Sequence, residues 1–381
     1  MKILILWPSG IVEQSEGEPV VRRKVWHSFT EDMNRGDLFV HESTLRLLDY
    51  DYMEEVPDIS AVSDELYDYY NRNFDYVIIR GSNYIRDDGP LRQWLPFFQR
   101  IEIPILAFGI GAQAPSMDST IELHPDTVAA LKEISAKSVH SIGVRGDHSK
   151  RLLNELGIDN VQTIGCPSIF RERNPHVRIR YLPQSHRNLS FTTHPYLGGL
   201  YTRDDRNSRA MQVRLIQKLR SSGYHLKYLT QGISAETKIV YKMDQESGIN
   251  ELKEIGWLED DQGFTDDFIR NAVCFETGNE YYEYSRNSDM NFGTRLHGNI
   301  TALAMGRPAV FVAYDSRTAE LAEFFSIPVL FEDAVTEDFD VEKFLGEVSF
   351  SAFNRQFNAR YNNFVNFLND NKIGHRMTEA D

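Results

Sequence analysis

Short apolar runs alternate along the chain with amphipathic stretches of helical period. In the first half, runs of strand length cover residues 3–7, 76–80, 105–109, 141–144 and 161–165. Between them, apolar positions recur at helical spacing over residues 38–48, 126–136 and 147–156. Strands that are apolar throughout and separated by helices are typical of a parallel sheet covered on both faces. The pattern therefore predicts a doubly wound α/β unit.

A second set of such signals begins after residues 171–187, a stretch rich in Arg and Pro without a clear period. Its predicted strands cover residues 189–193, 225–229, 272–276, 290–294, 309–313 and 329–330. Its predicted helices cover residues 206–221, 235–243, 299–305 and 316–325, and an aromatic-rich helical stretch covers 341–371. We therefore expect two Rossmann-like α/β domains, residues 1–180 and 181–340, and a helical stretch, 341–381, that packs back on the first domain.

Two such domains normally bind a ligand in the crevice between them, at the carboxyl ends of the strands. A chain of 381 residues is long enough for two cores. Its formal charge of −15 repels nucleic acid and anionic lipid, so we expect no nucleic-acid partner. An acidic protein that binds an anion has to concentrate positive charge locally. Arginines at strand ends are therefore informative.

The two cysteines, Cys166 and Cys274, have the spacing of neither a disulfide framework nor a metal site, which fits a reducing, cytoplasmic compartment. The apolar start of the chain stops at Pro8 without a cleavage site and predicts a first buried strand rather than a signal peptide. No apolar run approaches the ~20 residues that cross a bilayer. Any membrane association would be peripheral, and neither a metal nor a cofactor is expected.

Arg295 and His297 follow the predicted strand 290–294, and Gly298 and Asn299 are expected to open the next helix. A helix N-terminus after a tight turn can hold a phosphate or carboxylate, and an arginine adds a charge-assisted fork to the same anion. A histidine can also move a proton near neutral pH. The alternative is a helix-capping turn with a structural histidine.

Arg145 ends the strand 141–144, just before a helix for which Asp147 is the expected N-cap. A capping role for Asp147 does not explain why an arginine occupies position 145. A buried arginine needs a partner, and the two candidates are a structural carboxylate and a substrate anion.

Further candidates lie in loops at the same edge. Gly81, Ser82 and Asn83 follow the second predicted strand, and Gly111 lies in a glycine turn that lacks the third glycine of a dinucleotide fingerprint. The remaining candidates are Asn34 and Asp37, the latter as expected N-cap, and His194, Gln231 and Asp315, each just after a strand. Each has an ordinary loop or capping role as its alternative. The tyrosine-rich stretches 67–70 and 281–284 are predicted to be solvated loop faces or surfaces that stack on sugars.

Taken in order, these motifs resemble the polysaccharide pyruvyltransferase family. The resemblance rests on Asn34-x-Gly36-Asp37, Val144-Arg145-x-Asp147-x-Ser149 and Arg295-Leu296-His297-Gly298, continued through residues 302–308 and Tyr314-Asp315. The chain departs from the family pattern at Gly81-Ser82-Asn83, at Cys166-Pro167, where Asp-Pro is common, and at Arg317, where lysine is usual.

The resemblance implies a GT-B-like fold, phosphoenolpyruvate as donor and a pair of sugar hydroxyls as acceptor, with a pyruvate ketal on a glycan as product. Our mechanistic hypothesis on this basis is that the arginines hold the carboxylate and phosphate of the donor and that His297 is the general acid. Two other interpretations stay open: a GT-B glycosyltransferase that uses a nucleotide sugar, with Glu276 or Asp315 on the ribose, and a catalytically silent glycan-binding protein.

Overall fold

The computed structural model describes residues 1–23, 34–56, 58–86, 88–196, 202, 204–258 and 261–378. The first unit is built on a parallel sheet of β1 (Lys2–Leu6), β4 (Tyr52–Val56), β5 (Tyr76–Ile79) and β6 (Ile105–Ala107), in the order β4-β1-β5-β6. β7 (Ile142–Val144) and β8 (Val161–Thr163) form a parallel pair that extends this sheet through a single bridge between Ile110 and Val144. A hairpin of β2 (Ile11–Ser15) and β3 (Glu18–Arg22) lies outside it.

Within the part of the first unit that the structure describes, five α-helices connect these strands. They are α1 (Arg35–Leu47), α2 (Asp64–Asn73), α3 (Leu91–Arg100), α4 (Pro125–Lys137) and α5 (Asp147–Glu155). The order β4-β1-β5 places the point where the direction of winding reverses between β1 and β5. Ligands of open α/β sheets bind at that point, outside the carboxyl ends of the strands.

The second unit has a six-stranded parallel sheet in the order β11-β10-β9-β12-β13-β14. Its strands are β9 (Asn188–Thr192), β10 (His225–Leu229), β11 (Ala272–Val273), β12 (Met290–Gly293), β13 (Ala309–Ala313) and β14 (Val329–Phe331). Counted within the unit this is the order 3-2-1-4-5-6 of dinucleotide-binding folds, with the reversal between β9 and β12. The predicted fold class, two doubly wound α/β units facing across a crevice as in GT-B enzymes, is confirmed.

The helices of this unit are α6 (Asp205–Ser221), α7 (Ser234–Val240), α8 (Gln245–Glu254), α9 (Gln262–Asn271), α10 (Gly278–Asn287), α11 (Leu296–Ala304) and α12 (Ser316–Phe325). Two more close the chain, α13 (Val341–Glu347) and α14 (Ser351–Asp370). α13 contacts α6. On α14, Phe364 stacks on Phe170 with ring centroids 5.0 Å apart, and Asn363 accepts a hydrogen bond from Gln162 of the first unit. Within the described residues, no helix combines the length and apolar character needed to cross a membrane.

The tyrosine-rich stretches were predicted wrongly. Both lie on helices, and Tyr67, Tyr70, Tyr281 and Tyr282 are buried in the core, the last two completely. Tyrosines one or three positions apart on a helix can share a buried face, which the many charges beside them obscure in the sequence.

Two predicted N-caps are also corrected. Helix α1 begins at Arg35, and its cap is Asn34, whose side chain accepts from the backbone N–H of Gly36. Asp147 is the first residue of α5 rather than its cap, and its carboxylate accepts from the Thr163 hydroxyl at 2.7 Å.

Candidate active site

A cleft of about 410 Å³ lies between the two units, at the carboxyl ends of both sheets. We call it the arginine cleft. Its described lining residues are Asn34, Asp37, Ser82, Asn83, Arg86, Arg145, His194, Tyr196, Gly232, Ile233, Arg295, His297 and Arg317. Eight of the fourteen site residues expected from the sequence are among them. Ser82 and Asn83 follow β5, and Arg295 and His297 follow β12, so each group lies beside a reversal point of its sheet.

Arg145 ends β7 and is 1% exposed. Its Nε donates to the carbonyl of Gly109 at 2.9 Å, and its Nη1 donates to Oδ1 of Asn83 at 2.5 Å. Among the described residues no carboxylate lies within ion-pair distance of it. Burial lowers the pKa of its guanidinium, and the nearby Arg317 acts in the same direction. Of the two partners considered for this arginine, a structural carboxylate in direct ion-pair contact is absent from the described part of the chain, and Glu320 and Asp37 raise its pKa from a longer distance.

The described lining of the cleft carries four arginines and a single carboxylate, Asp37. Arg317 donates from Nε to Asp315 and from Nη2 to the Tyr314 hydroxyl, both at 2.5 Å. The backbone carbonyl of Thr193 accepts from Nε of Arg295 at 3.1 Å. These contacts hold the side chains of Arg295 and Arg317 against the cleft wall. In a chain of net charge −15, the cleft is a local concentration of positive charge.

His297 lies in the first turn of α11, which begins at Leu296, three residues before the predicted start. Its Nε2 is 3.9 Å from the thiol sulfur of the buried Cys166 in the first unit. Its Nδ1 faces Gly36, where an added β-carbon would approach to 2.8 Å, so only glycine leaves room for the imidazole. The histidine is thus held between the two units.

Burial lowers the pKa of His297 well below its usual value, and Arg145, Arg317, Arg80 and Arg295 lower it further, in that order. The imidazole is therefore neutral at neutral pH in the unliganded protein. A bound anion would offset the arginine charges and raise this pKa.

His194 is the second histidine of the cleft. Its Nδ1 lies 3.0 Å from the Tyr314 hydroxyl, and its backbone N–H donates to Gln212. Burial, with Arg295 and Arg317 nearby, lowers its pKa well below the usual value. It is a neutral polar wall of the cleft.

Six predicted site residues lie outside the described lining. Gly81 and Gly111 allow close packing. An added β-carbon on Gly81 would lie 2.8 Å from the carbonyl oxygen of Gly109, and one on Gly111 would lie 2.9 Å from Cδ of Arg145. Asp315 caps α12 and pairs with Arg317.

The other three lie behind His297. Gly298 is inside α11, and Gln231 lies so close that a β-carbon on Gly298 would meet its Nε2 at 2.3 Å. Asn299 donates to the carbonyl of Gly293 at 2.8 Å and so holds the end of β12. These three residues support His297 from behind and do not line the described cleft.

The sequence reasoning missed several lining residues, namely Arg86, Tyr196, Gly232 and Ile233, and treated Arg317 only as a departure from the family pattern. Arg80 was missed as well. It lies behind the cleft, donates to the Trp7 carbonyl and Ser9 hydroxyl, and is 3.6 Å from Asp37. The rule that singled out Arg145, an arginine ending a buried strand, would also have found Arg80.

Among the described residues, no group of three or more His, Cys, Asp and Glu side chains is arranged to hold a metal ion. The donors that the cleft offers are instead guanidinium, amide and imidazole groups.

Comparison with known proteins adds the following. The family model described as polysaccharide pyruvyl transferase matches residues 34–316. No curated protein matches the chain. Among solved structures, the UDP-GlcNAc 2-epimerase of Methanocaldococcus jannaschii in complex with UDP-GlcNAc and UDP is 12% identical, with 91% of each chain covered and a TM-score of 0.44. A putative UDP-N-acetylglucosamine 2-epimerase from Listeria monocytogenes is 10% identical over 100% of this chain and 92% of that one, with a TM-score of 0.45.

Structural likenesses this weak decide nothing about the reaction. The family match spans well over half of the chain, from the cap of α1 to the start of α12, and includes all three motifs on which the resemblance rested. The chain belongs to the polysaccharide pyruvyl transferase family.

Proposed function

We propose that the chain transfers the enolpyruvyl group of phosphoenolpyruvate to two hydroxyls of a sugar, which forms a pyruvate ketal and releases phosphate. The observation that carries the proposal is the arginine cleft itself. Arg145 is buried with no described carboxylate within ion-pair distance, beside three further arginines, two of which, Arg86 and Arg317, pair with Asp88 and Asp315. A carboxylate and a phosphate on one small molecule would supply negative charge to Arg145.

In this mechanism the arginines bind the donor's two anionic groups, and His297, protonated once the donor is bound, gives a proton to the methylene carbon. The adjacent carbon then carries cation character and is attacked by the first hydroxyl, which loses its proton. The second hydroxyl attacks the same carbon as the bond to phosphate breaks, and its proton leaves with the phosphate. The proton of the first hydroxyl restores His297.

The pKa of His297 makes the acid step conditional on the donor. Burial is the largest cause of the low pKa of His297, and the arginines that attract the donor lower it further. A bound anion would offset the arginine charges and so raise this pKa, while the effect of burial would remain. We therefore expect His297 to take up its proton together with the donor.

A nucleotide-sugar glycosyltransferase is the nearest rival. Both carboxylates that were considered for its ribose contact are engaged elsewhere. Glu276 accepts from Arg23 at 2.6 Å and from Tyr241 at 2.5 Å, and Asp315 accepts from Arg317 and from the backbone of Thr318. This favours the smaller anion as donor.

Thermal unfolding separates the two donors, because a ligand that binds only the native state raises the melting temperature. We expect phosphoenolpyruvate to raise it and UDP- and GDP-sugars to leave it unchanged, with Arg145→Met abolishing the rise. Stabilisation by a nucleotide sugar but not by phosphoenolpyruvate would overturn the proposal. Binding of neutral glycans alone would support the silent glycan-binding protein.

A further inference from the structure

A second cleft, of about 830 Å³, lies beside the arginine cleft. Its walls come from both units: the segment after β6 in the first unit, and α12, β14 and their flanks in the second. The lining residues are Pro115–Asp118, Ala313–Asp315, Ala319, Ala322, Glu323, Ser326–Val329, Phe331–Asp333 and Ser349. The reaction proposed above uses none of this space. We call it the second cleft.

The charge of the second cleft is opposite to that of the arginine cleft. Its described charged lining residues are all carboxylates, namely Asp118, Asp315, Glu323, Glu332 and Asp333, without a Lys, Arg or His. Burial raises the pKa of Glu332, and the neighbouring Asp333, Asp204 and Asp315 raise it further. An anionic ligand would be repelled here, whereas hydroxyl groups would find hydrogen-bond acceptors.

The remaining lining is apolar and partly exposed. Phe331 is 50% exposed, an unusual state for a large aromatic residue, and Val329 on the same strand and Met117 on the wall from the first unit are half-buried. Apolar side chains between hydrogen-bond acceptors suit a ligand with both C–H faces and hydroxyl edges, as in a sugar ring.

Only one layer of side chains separates the two clefts. Arg317 lines the arginine cleft and donates to Asp315 and to the Tyr314 hydroxyl, and both of those residues line the second cleft. A sugar chain whose last residue reaches the arginine cleft past Tyr314 would therefore have its preceding residues in the second cleft.

We propose that the second cleft binds an uncharged sugar chain of several residues, the part of the acceptor that precedes the sugar receiving the pyruvyl group. The reaction of the pyruvyl-accepting sugar rests on the proposed function. Binding of the sugar chain in the second cleft does not. The arginine cleft selects the anionic donor, and the second cleft selects a long, neutral acceptor.

The test measures binding of the full protein to immobilised oligosaccharides, with neutral gluco-, galacto-, manno- and N-acetylglucosamine hexasaccharides beside uronic-acid hexasaccharides. Ala319→Trp fills the cleft from the half-buried face of α12, and Phe331→Ala removes the exposed ring. Met243→Ala is the matched control, because Met243 is 57% exposed and lines neither cleft.

We expect at least one neutral hexasaccharide to bind, and both cleft variants to weaken that binding about tenfold or more, in line with the loss of an aromatic contact and its buried area. Met243→Ala should bind as the native protein does. The inference is overturned if no neutral hexasaccharide binds, if uronic-acid chains bind better, or if Ala319→Trp binds normally.

The two proposals fail separately. If neutral hexasaccharides bind but phosphoenolpyruvate neither stabilises the protein nor releases phosphate, the proposed function is wrong and the second cleft stands. If phosphate is released with short acceptors while Ala319→Trp leaves the use of long acceptors unchanged, the assignment of the second cleft is wrong and the proposed function stands.

Discussion

Arg145 and Arg171 are both buried arginines, and they differ in what holds them. Arg171 donates to Glu42 at 2.7 Å, and both side chains are buried, so its charge is neutralised inside the protein. Arg145 is held by an amide and a carbonyl. The first arrangement stabilises the fold, and under the proposed function the second leaves the charge of Arg145 for the donor.

Substitution of each by methionine separates these roles. Arg145→Met should weaken phosphoenolpyruvate binding by about 1.5–3 kcal/mol, the usual contribution of a hydrogen bond to a charged group, with little change in the free energy of unfolding. Arg171→Met should instead lower the free energy of unfolding by about 3–5 kcal/mol, because it breaks a buried ion pair and leaves Glu42 with only the longer 3.6 Å contact to Arg46 among the described cations. Calorimetric titration and denaturant unfolding measure the two quantities. Equal loss of stability in both variants would contradict the distinction.

The sulfur of Cys166 lies 3.9 Å from Nε2 of His297, so a charge placed at position 166 would act on the imidazole. Cys166→Asp would place a carboxylate there, and an opposite charge at this distance raises the pKa of an imidazole by about one unit or more. Activity that requires protonated His297 is lost as pH rises through that pKa. The basic limb of the pH–rate profile should therefore move to higher pH.

The control for this shift is Cys166→Ser, which removes the thiol without adding charge. It should leave the basic limb where it is in the native enzyme. A shift of the same size in both variants would show that packing, rather than charge, sets the pKa of His297.

At the residue scale, the sequence predicted those side chains that end buried strands. Arg145, Arg295 and His297 line the arginine cleft because the strands before them, β7 and β12, end at the edges of the two sheets that face the crevice. The position of Gln231 behind Gly298 depends on the packing of the segment after β10 against α11, and the early start of α11 moves Gly298 and Asn299 into the helix. Tertiary packing leaves no local signal in the sequence. A helix that starts without a side-chain cap leaves none either.

Among the elements, the N-terminus of α1 and the first turn of α11 meet at Gly36. A β-carbon there would lie 2.8 Å from Nδ1 of His297 and 3.0 Å from Oδ1 of Asn34. Gly36→Ala should reduce turnover, because the imidazole has to move. The gain of about 1 kcal/mol expected from alanine in a helix should be lost to this contact.

Gly346→Ala is the matched control, since Gly346 lies in α13 and an added β-carbon would meet nothing within 4 Å. It should stabilise the protein by roughly 0.5–1 kcal/mol with turnover unchanged. Steady-state rates and denaturant unfolding of both variants provide the comparison. Full turnover in Gly36→Ala would show that the position of His297 tolerates displacement.

Elements with a clean apolar pattern were predicted from the sequence, and elements with a mixed pattern were missed. β10, β13 and α12 have the predicted limits. The hairpin of β2 and β3 was missed because its strands are mostly polar, and α3 because Pro96 lies inside it. The order of strands in each sheet depends on long-range pairing, which no local pattern encodes.

At the scale of the whole molecule, hydrogen bonds to Glu320 of α12 connect the second unit to the first. Its carboxylate accepts from the Ser149 backbone at 3.0 Å and from the Ser149 hydroxyl at 2.8 Å, across the crevice. Burial raises the pKa of Glu320 to about 7 from the ordinary 4.5. Between these values the unfolded chain releases this proton while the folded chain keeps it, so stability falls as pH rises.

Glu320→Gln cannot ionise and still accepts a hydrogen bond from Ser149. The native chain should lose on the order of 3 kcal/mol from this group between about pH 5 and about pH 8, a loss that the variant lacks. Denaturant unfolding at both pH values measures it. The same pH dependence in both chains would mean that Glu320 is ionised throughout the range.

The distribution of charge over the whole molecule links fold and function. An acidic chain of net charge −15 concentrates arginines where its two sheets meet, and the family match covers the residues that build this place. The sequence predicted the two units and the strand ends that meet there. It did not predict the second cleft, which forms only when the segment after β6 lies against α12.

The most direct test of the central claim is phosphate release from phosphoenolpyruvate by the native chain and by His297→Asn, in the presence of the neutral glycans. We expect glycan-dependent phosphate release together with a pyruvate ketal on the glycan by mass spectrometry, and a loss of about 10²–10⁴-fold in the variant, the usual contribution of a general acid. Native turnover by His297→Asn, or no glycan-dependent release by the native chain, would contradict the account.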